Sequence, residues 1–273
     1  MNIVRILFLM TLLSASISVV AQDADEAPAD DAAELAKKLN NPVASLISVP
    51  IEYNLDSKIG PSETGETWTV KFTPVVPFEL NDNWNLITRT IFSYVDTDIP
   101  DYGVNETGIS DIVEVMYFSP KAPTASGIIW GAGPLILMDT ATDDAIGAGK
   151  WGTGPAGVIL KQQGQWSVGM LAHYLTDIGG GGSDRTDVEQ LFFQPFLSYN
   201  ITPQLSWTAQ TEYTRNLENN TSNGYFIFSV NKTMRVGKQL LQGRVGVRHW
   251  YEQAEFGPDS TELMLRLTLL YPK

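Results

Sequence analysis

The sequence predicts an all-β protein, an antiparallel transmembrane β-barrel of about 12 strands with a short N-terminal helical or plug segment. Three observations predict it. Apolar and polar residues alternate with a period of two over segments of roughly 9–11 residues, the length that a tilted strand needs to cross a bilayer. Short and long connections alternate between these segments, and tryptophans and tyrosines gather near the segment ends.

The composition excludes several classes of protein. The chain has 273 residues, 18 Lys and Arg against 31 Asp and Glu, and a formal net charge of −13. Nucleic-acid binders need a basic face, so a nucleic-acid partner is not expected. Cysteine is absent and histidine occurs only twice, which rules out disulfide scaffolds and thiolate metal sites. No cofactor and no metal are therefore expected.

The first 21 residues resemble a secretory signal peptide. Arg5 precedes the mostly apolar run from Ile6 to Leu13, and Val19-Val20-Ala21 fits a small-residue cleavage site. A retained membrane anchor is the alternative interpretation. A cysteine-free exported protein is typical of a bacterial envelope, so the predicted location is the cell outer membrane.

Residues 22–45 are predicted to form an acidic flexible tail followed by a short helix. Gln22 to Asp30 is rich in Asp, Glu, Ala and Pro. Asp31 to Leu39 has the pattern of a helix of about two turns, with Asp30 or Asp31 as N-cap and Pro42 close to its end. The segment up to Val49 could plug the barrel from inside or cap its periplasmic end, and both interpretations stay open. Residues 46–273 form the predicted barrel.

Two segments show the alternation most clearly. From Gln204 to Thr214, and again from Thr261 to Tyr271, nearly every second residue is apolar or aromatic and those between are mostly polar. In the second segment Leu265 is expected to face lipid and Met264 the lumen. The predicted strands cover residues 46–56, 67–78, 83–95, 108–119, 127–138, 151–162, 165–176, 188–200, 203–215, 224–233, 239–252 and 260–271.

The connections support a membrane barrel, whereas several prolines conflict with one. Connections such as Gln162 to Gly164 are short, and those such as Asp96 to Gly108 are longer and polar, as periplasmic turns and external loops are. Proline cannot donate to a strand ladder and a closed barrel has no free edge, so either bulges accommodate some of the prolines or several predicted strand boundaries are wrong. Among the prolines inside predicted strands are Pro74, Pro77, Pro134, Pro155 and Pro195.

Aromatic residues near the strand ends are expected to form two interfacial girdles. Ordinary core and edge aromatics of a soluble β domain are the alternative. The predicted girdle residues are Trp68, Trp84, Trp151, Trp166, Trp207, Tyr213 and Tyr271.

Several stretches resemble one family of Gram-negative envelope proteins. They are Asn41 to Pro50, Pro77 to Arg89, Gly149 to Pro155, Gln194 to Tyr199 and the closing Leu-Leu-Tyr-Pro-Lys273. They are similar to the "MetA-pathway of phenol degradation" family, whose members are often labelled transporter or neuromedin U. The resemblance runs from about Leu35 to Lys273. It implies an outer-membrane β-barrel that moves small compounds, aromatic ones among them, and it offers no catalytic motif.

The inward face is expected to carry the function. Charged residues predicted to face the lumen could form a constriction that selects solutes by size and sign. They could instead pair with one another and fill the interior of a small barrel. The candidates for the lumen and its constriction are Lys71, Arg89, Glu114, Glu212, Arg244, Arg248, Glu262 and Arg266.

The predicted function is an outer-membrane channel or transporter for small solutes, with hydrophobic or aromatic compounds as candidates. A filled structural or adhesive barrel is the alternative, and a barrel lipid hydrolase a distant third. No catalytic residue is expected, because His173 is predicted to face inward, no serine is obviously placed beside His249, and G-x-S-x-G is absent. The expected partners are outer-membrane lipid, the barrel-assembly machinery and a small-molecule solute.

Overall fold

A computed structural model describes residues 29–180 and 185–271 of the chain. The predicted signal peptide, the tail up to residue 28 and residues 181–184 lie outside the described residues. Helix α1 spans Ala29–Leu39, which confirms the predicted helix and starts it two residues earlier, and a short 3₁₀ helix spans Pro100–Tyr102. The strands are β1 Ile47–Ile59, β2 Gly65–Phe72, β3 Val75–Glu79, β4 Trp84–Ile99, β5 Val104–Ile109, β6 Ile112–Pro120, β7 Ile128–Met138, β8 Trp151–Gln163, β9 Trp166–Gly179, β10 Glu189–Asn200, β11 Leu205–Asn216, β12 Thr221–Val236, β13 Gln239–Glu252 and β14 Thr261–Tyr271.

The strands form a closed antiparallel barrel with 12 strand positions, as the sequence predicts. Strands β2 and β3 share one position in the wall, and β5 and β6 share another, because each pair lies beside β4 in continuous order. The last strand closes on the first, in a register that runs from Ile47 beside Tyr271 to Tyr53 beside Leu265. No helix among the described residues is long and apolar enough to cross a bilayer.

The barrel has two different ends. The turn end carries the N-terminal segment, the end of β14 and the connections that follow β3, β6, β8, β10 and β12. The loop end carries the connections that follow β1, β4, β7, β9, β11 and β13, of which 139–150 is an extended loop. Three predicted loops are shorter than expected, because β1 continues to Ile59 and β2 begins at Gly65, β4 continues to Ile99 and pairs with β5, and β12 begins at Thr221. Polar residues such as Asp96 and Thr107 pair in register there, so their polarity does not end the strands.

Three prolines lie in the wall where one of the two neighbouring ladders is interrupted. Pro134 keeps its register with Pro155, and Pro195 keeps its register with Met170. On their other sides the pairing is broken, between β6 and β7, between β8 and β9, and between β10 and β11. A proline without an N–H therefore costs the barrel a local gap in one ladder and leaves the closure intact.

Pro74, Pro77 and two glycines also lie where the strand pairing is interrupted. Pro74 lies at the break between β2 and β3, and Pro77 lies where β3 no longer pairs with β1, since their only register pair is Ser48 with Val75. Gly133 and Gly154 sit at the interrupted ladders, where any Cβ would collide with a carbonyl oxygen of the neighbouring strand. Irregular ladders accommodate Pro134, Pro155 and Pro195, whereas at Pro74 the predicted strand 67–78 is wrong, because the chain divides there into β2 and β3.

The two faces of the wall follow the predicted alternation. Met264 points inward and is 0 % exposed, whereas its neighbours Leu263 and Leu267 on the outer face are exposed. The outer face carries rings that touch one another along the turn end, including Trp166 and Trp207 at 5.7 Å between ring centres. All seven predicted girdle residues lie on the outer face, Trp84, Trp166, Trp207 and Tyr271 towards the turn end and Trp68, Trp151 and Tyr213 towards the loop end.

The interior of the barrel is divided into an apolar half and a polar half. Buried aliphatic side chains of β4 and β6 to β9 form a continuous cluster that fills the apolar half. Strands β1, β2 and β10 to β14 line the polar half, where the buried inward residues are mostly Ser, Thr, Asn, Gln and charged side chains. The candidate functional site lies at the boundary between these halves.

Candidate functional site in the barrel interior

The first feature of the polar half is a carboxylate held between two cations of neighbouring strands. Glu52 of β1 is 3 % exposed. Its carboxylate accepts a hydrogen bond from the Arg266 Nε of β14 at 2.6 Å and forms an ion pair with the Lys71 Nζ of β2 at 3.3 Å. Asn54 donates a further hydrogen bond to it at 2.9 Å. This cluster ties the first, second and last strand positions together across the closure of the barrel.

A second charged cluster lies towards the loop end. The guanidinium of Arg248 pairs with the carboxylate of Asp56 and donates to the Leu55 carbonyl at 3.0 Å. It also lies 5.1 Å from the Tyr225 ring centre and 5.5 Å from that of Trp250, within reach of cation–π attraction. The Trp250 indole donates to Asp56 at 2.8 Å. These contacts fill the polar half near the loop end.

A third group joins a glutamate to an arginine through neutral amides. Glu212 accepts hydrogen bonds from Gln194 at 2.9 Å, from Gln210 at 3.1 Å and from the Tyr225 hydroxyl. The oxygen of Gln210 in turn accepts from Arg244 at 3.4 Å, and Asn231 accepts from the Arg244 Nε at 2.6 Å. Arg244 therefore has amide partners, and no carboxylate of the described residues forms an ion pair with it.

Arg89 lies at the border of the apolar half. On β4 its register partners are Val75 of β3 and Val115 of β6. Its guanidinium contacts the hydroxyl of the buried Tyr117. Within the described ranges no carboxylate pairs with Arg89, which separates it from Arg248 and Arg266.

Arg89, Arg244 and Arg266 line one internal cavity of about 190 Å³. Its wall combines the polar strands with apolar side chains of the other half, such as Leu171 and Phe196. Towards the turn end the cavity is bounded by residues 38–46, which belong to the N-terminal segment and not to the wall. The cavity is therefore a chamber between the barrel wall and a separate piece of chain.

The N-terminal segment, residues 34–46 from the body of α1 to the start of β1, is seated inside the turn end. Val43 is buried in the apolar cluster, and Ala44 and Leu46 pack against Leu240 and Leu270. Hydrogen bonds join the segment to three parts of the wall. Asn40 donates to Asn200 at 2.9 Å, Asn85 donates to Ser45 at 2.9 Å, and Gln162 donates to the Lys37 carbonyl at 2.9 Å. Of the two interpretations left open by the sequence, the interior plug is the one that this placement fits.

The loop end is covered over the apolar half. Asp111, at the break between β5 and β6, accepts from the backbone N–H groups of Thr140 at 2.9 Å, Ala141 at 2.9 Å and Ala148 at 2.6 Å. This folds loop 139–150 inward, so that Ala148 packs against the apolar cluster, which also contains Val188 of the next connection. Arg185 donates to the Ala148 carbonyl at 3.2 Å and fastens the same loop.

Most of the charged residues predicted for the lumen lie in the interior. Lys71, Arg89, Glu212, Arg244, Arg248, Glu262 and Arg266 all point inward, and the Glu262 carboxylate accepts from Ser57 at 2.6 Å. The prediction for Glu114 is wrong. Its neighbours Val113 and Val115 pack in the apolar core, so Glu114 points outward and accepts a hydrogen bond from Thr90 at 2.6 Å. The strand boundaries of β6 set this parity, and the bulge at Ser110 and Asp111 shifts it.

Two interior carboxylates, Glu52 and Asp56, are missing from the predicted set. The signal was present in β1, where the polar residues Ser48, Glu52, Asn54 and Asp56 alternate with Ile47, Val49, Ile51, Tyr53 and Leu55.

The two histidines lie on opposite faces of the wall. His173 points inward, as predicted, and stacks on Phe192 at 4.6 Å between ring centres. His249 lies on the outer face, where its Nδ1 bonds the Thr261 hydroxyl at 2.7 Å. Among the described residues there is also no group of three or more His, Asp or Glu side chains placed to hold a metal ion.

Comparison with known proteins identifies the fold. No family model matches the chain, and no curated protein sequence matches it. Among solved structures, an outer-membrane channel from Pseudomonas putida F1 superposes with a TM-score of 0.62 at 15 % sequence identity, covering 83 % of this chain and 96 % of that one. The NanC porin superposes with a TM-score of 0.50 at 10 % identity, covering 83 % of this chain and 100 % of that one. The chain thus has the fold of outer-membrane channel and porin barrels.

Proposed function

We propose that this protein is an outer-membrane channel or transporter for small solutes, hydrophobic or aromatic compounds among them, whose lumen is closed by its own N-terminal segment. The observation that carries the proposal is the chamber of about 190 Å³ inside a closed barrel, bounded at the turn end by residues that are not part of the wall. A segment that is separate from the ladder can leave without breaking it.

The proposed setting is the outer membrane of a Gram-negative cell. The fold is that of outer-membrane barrels, and the outer face has aromatic residues at both ends with aliphatic side chains between them. In this setting the first 21 residues direct export, the barrel-assembly machinery inserts the protein, and the turn end faces the periplasm. The resemblance to the phenol-degradation family agrees with this proposal.

The seated segment is held by contacts that can be exchanged. Val43, Ala44 and Leu46 are small or medium-sized, and burial of a Val or Leu side chain stabilises by about 1.5–3 kcal/mol. The hydrogen bonds of Asn40 and Ser45 are to neutral side chains, each with a net value of about 1 kcal/mol. The closed state is therefore favoured, and a solute or a periplasmic partner could shift the population towards the open state.

A reversible disulfide tests the gate. A Cβ placed on Gly131 would lie 3.2 Å from the Val43 Cγ1, so Val43→Cys combined with Gly131→Cys places two sulfurs close enough to bridge. The chain has no cysteine of its own, so this bridge would be its only one. In planar bilayers the oxidised variant should be silent, and reductant should restore whatever conductance steps the unmodified protein shows. The two single-cysteine variants are the control for the substitutions themselves.

The alternative is a filled, non-conducting barrel, favoured by the ion pairs of Glu52 and Asp56 that occupy part of the interior. A variant that starts at Ile47 and lacks the segment separates the two functions. Conductance of the shortened barrel in the absence of conductance by the full chain supports a gated channel. Silence of the shortened barrel, with correct insertion shown by heat-modifiable gel mobility, would contradict the proposal and leave the structural function.

A further inference from the structure

Two of the interior arginines lack the carboxylate partner that the others have. Arg266 pairs with Glu52 and Arg248 pairs with Asp56. Arg89 and Arg244, in contrast, are in no ion pair with any described residue and contact a phenol hydroxyl and amide oxygens. Both line the same cavity.

A guanidinium inside a protein needs compensation for its lost hydration. Removing a charge from water costs several kcal/mol unless an opposite charge or a full set of hydrogen bonds replaces the water. Tyr117, Asn231 and Gln210 supply dipoles and no charge. The interior therefore holds an electrostatic deficit at these two residues that a bound anion would relieve.

The cavity lining carries mostly positive charge. The chain as a whole has a net charge of −13. The charged side chains that line the cavity are nevertheless mostly cationic, with Glu212 as the one carboxylate among the lining residues of the described chain. The cationic residues of the lining are Lys38, Lys71, Arg89, Arg244 and Arg266.

Another part of the cavity lining is apolar. Leu171, Phe196 and Val75 line it and belong to or pack against the aliphatic cluster of the other half. A ligand that fits both parts has a negatively charged group and an apolar body. The size of the body follows from the volume, because an apolar cavity of roughly 150 Å³ holds one benzene ring and this cavity measures about 190 Å³.

We propose that the cavity is a binding site for small organic anions, with the carboxylate of the ligand held by Arg89 and Arg244 and its apolar body against Leu171 and Phe196. Arginine suits this task because its planar guanidinium donates in a fork that matches a carboxylate. This inference rests on the proposed function in that the site lies on the route through the barrel, and it names the class of solute.

The test is direct binding to the full-length refolded protein in detergent, measured by equilibrium dialysis with labelled benzoate. Benzyl alcohol, which has a similar shape and no charge, and benzylamine, which has the opposite charge, are the matched probes. Arg89→Gln and Arg244→Gln should each weaken benzoate binding at least about tenfold, because each removes a charge-assisted hydrogen bond. Arg89→Lys should retain part of the affinity, since it retains the charge.

Arg215→Gln is the control variant. Arg215 lies outside the cavity near the loop end, where it donates to Ser222 at 2.8 Å, and its loss should leave benzoate affinity unchanged. Binding of benzyl alcohol or benzylamine as tight as that of benzoate would overturn the proposal. So would unchanged benzoate affinity in both arginine variants, provided that their gel mobility shows folded barrels.

Binding and conduction fail separately. Benzoate binding that depends on Arg89 and Arg244 in a protein that never conducts would support the anion site and contradict the channel. Conductance of the shortened barrel, without benzoate binding to the full-length protein, would support the channel and contradict the anion site.

Discussion

At the scale of single residues, the interior of this barrel is organised by which charge has a partner. Glu52 forms ion pairs with two cations on different strands. Asp56 forms an ion pair with Arg248 and accepts a hydrogen bond from the Trp250 indole. Each of these carboxylates accepts several donors, as buried charges require. Glu114 is different, because it lies on the outer face with the Thr90 hydroxyl as its hydrogen-bond donor. In the proposed membrane setting it is a carboxylate turned towards lipid.

Replacing Glu114 should therefore stabilise the barrel in lipid. Glu114→Leu removes a carboxylate from the lipid face, where acidic side chains cost less than the roughly 2–4 kcal/mol of a basic one at the midplane, so we expect a gain of about 1 kcal/mol in the free energy of unfolding. Denaturant titration in lipid vesicles measures it. The contrasting variant is Glu52→Leu, which leaves Lys71 and Arg266 without their carboxylate partner. It should reduce the free energy of unfolding by roughly 3–5 kcal/mol. A loss of stability in Glu114→Leu would show that this carboxylate has a stabilising partner in the assembled membrane.

At the scale of elements, the sequence predicts the strands well and the pieces that close the barrel poorly. Alternation with a period of two placed β11 and β14 and their inward residues correctly, because side-chain direction in a strand depends only on parity. Parity fails where the chain adds a residue, and the bulge at Ser110 and Asp111 is what turned Glu114 outward. Such a bulge is set by pairing with distant strands, so one segment of sequence does not reveal it.

The positions of the N-terminal segment and of loop 139–150 could not be predicted from the sequence either, since they depend on contacts between residues far apart in the chain. Asn40 meets Asn200, and Asp111 meets Thr140, only once the barrel is closed. The helix itself was predictable from its local pattern, but whether it plugged or capped the barrel was not. The two unpaired arginines were in the predicted set, and their lack of carboxylate partners became visible only in three dimensions.

The Asp111 carboxylate should contribute strongly to the order of loop 139–150. Asp111→Ala removes the acceptor of three backbone N–H groups, so the amides of Thr140, Ala141 and Ala148 should exchange with solvent at least about tenfold faster. Hydrogen–deuterium exchange of the refolded barrel measures this. Asp143→Ala is the matched control, because the Asp143 carboxylate accepts from the Ala145 N–H alone among the described contacts, and its loss leaves the Asp111 anchor intact. Equal exchange in the two variants would mean that other contacts, such as those of Arg185, hold the loop.

At the scale of the whole molecule, the barrel is a wall with three surfaces of different chemistry. Its outside is aliphatic and aromatic, one half of its inside is aliphatic, and the other half is polar and charged. The apolar half is packed and covered at the loop end, so the solute path of the proposed channel would follow the border with the polar half, where the cavity lies. Pairing of β14 with β1 closes the barrel and removes every free strand edge. The ion pairs of Glu52 strengthen the contact between these two strands.

The outer surface as a whole should behave as a membrane-spanning band with a depth profile. Leu265 lies on the outer face near the middle of β14, opposite Tyr53 of β1 and Val245 of β13. In the proposed orientation Leu265→Arg should reduce the free energy of unfolding in lipid vesicles by about 2–4 kcal/mol, because the guanidinium would lie near the bilayer centre. Leu263→Arg, on the same face but closer to the loop end, should cost about 0–1 kcal/mol if it reaches the interface. Both variants place the same cation on the same strand, so a difference between them reports depth and not strand propensity. Equal costs would place the membrane band elsewhere on the barrel, and no cost at either position would remove the lipid from the outer face.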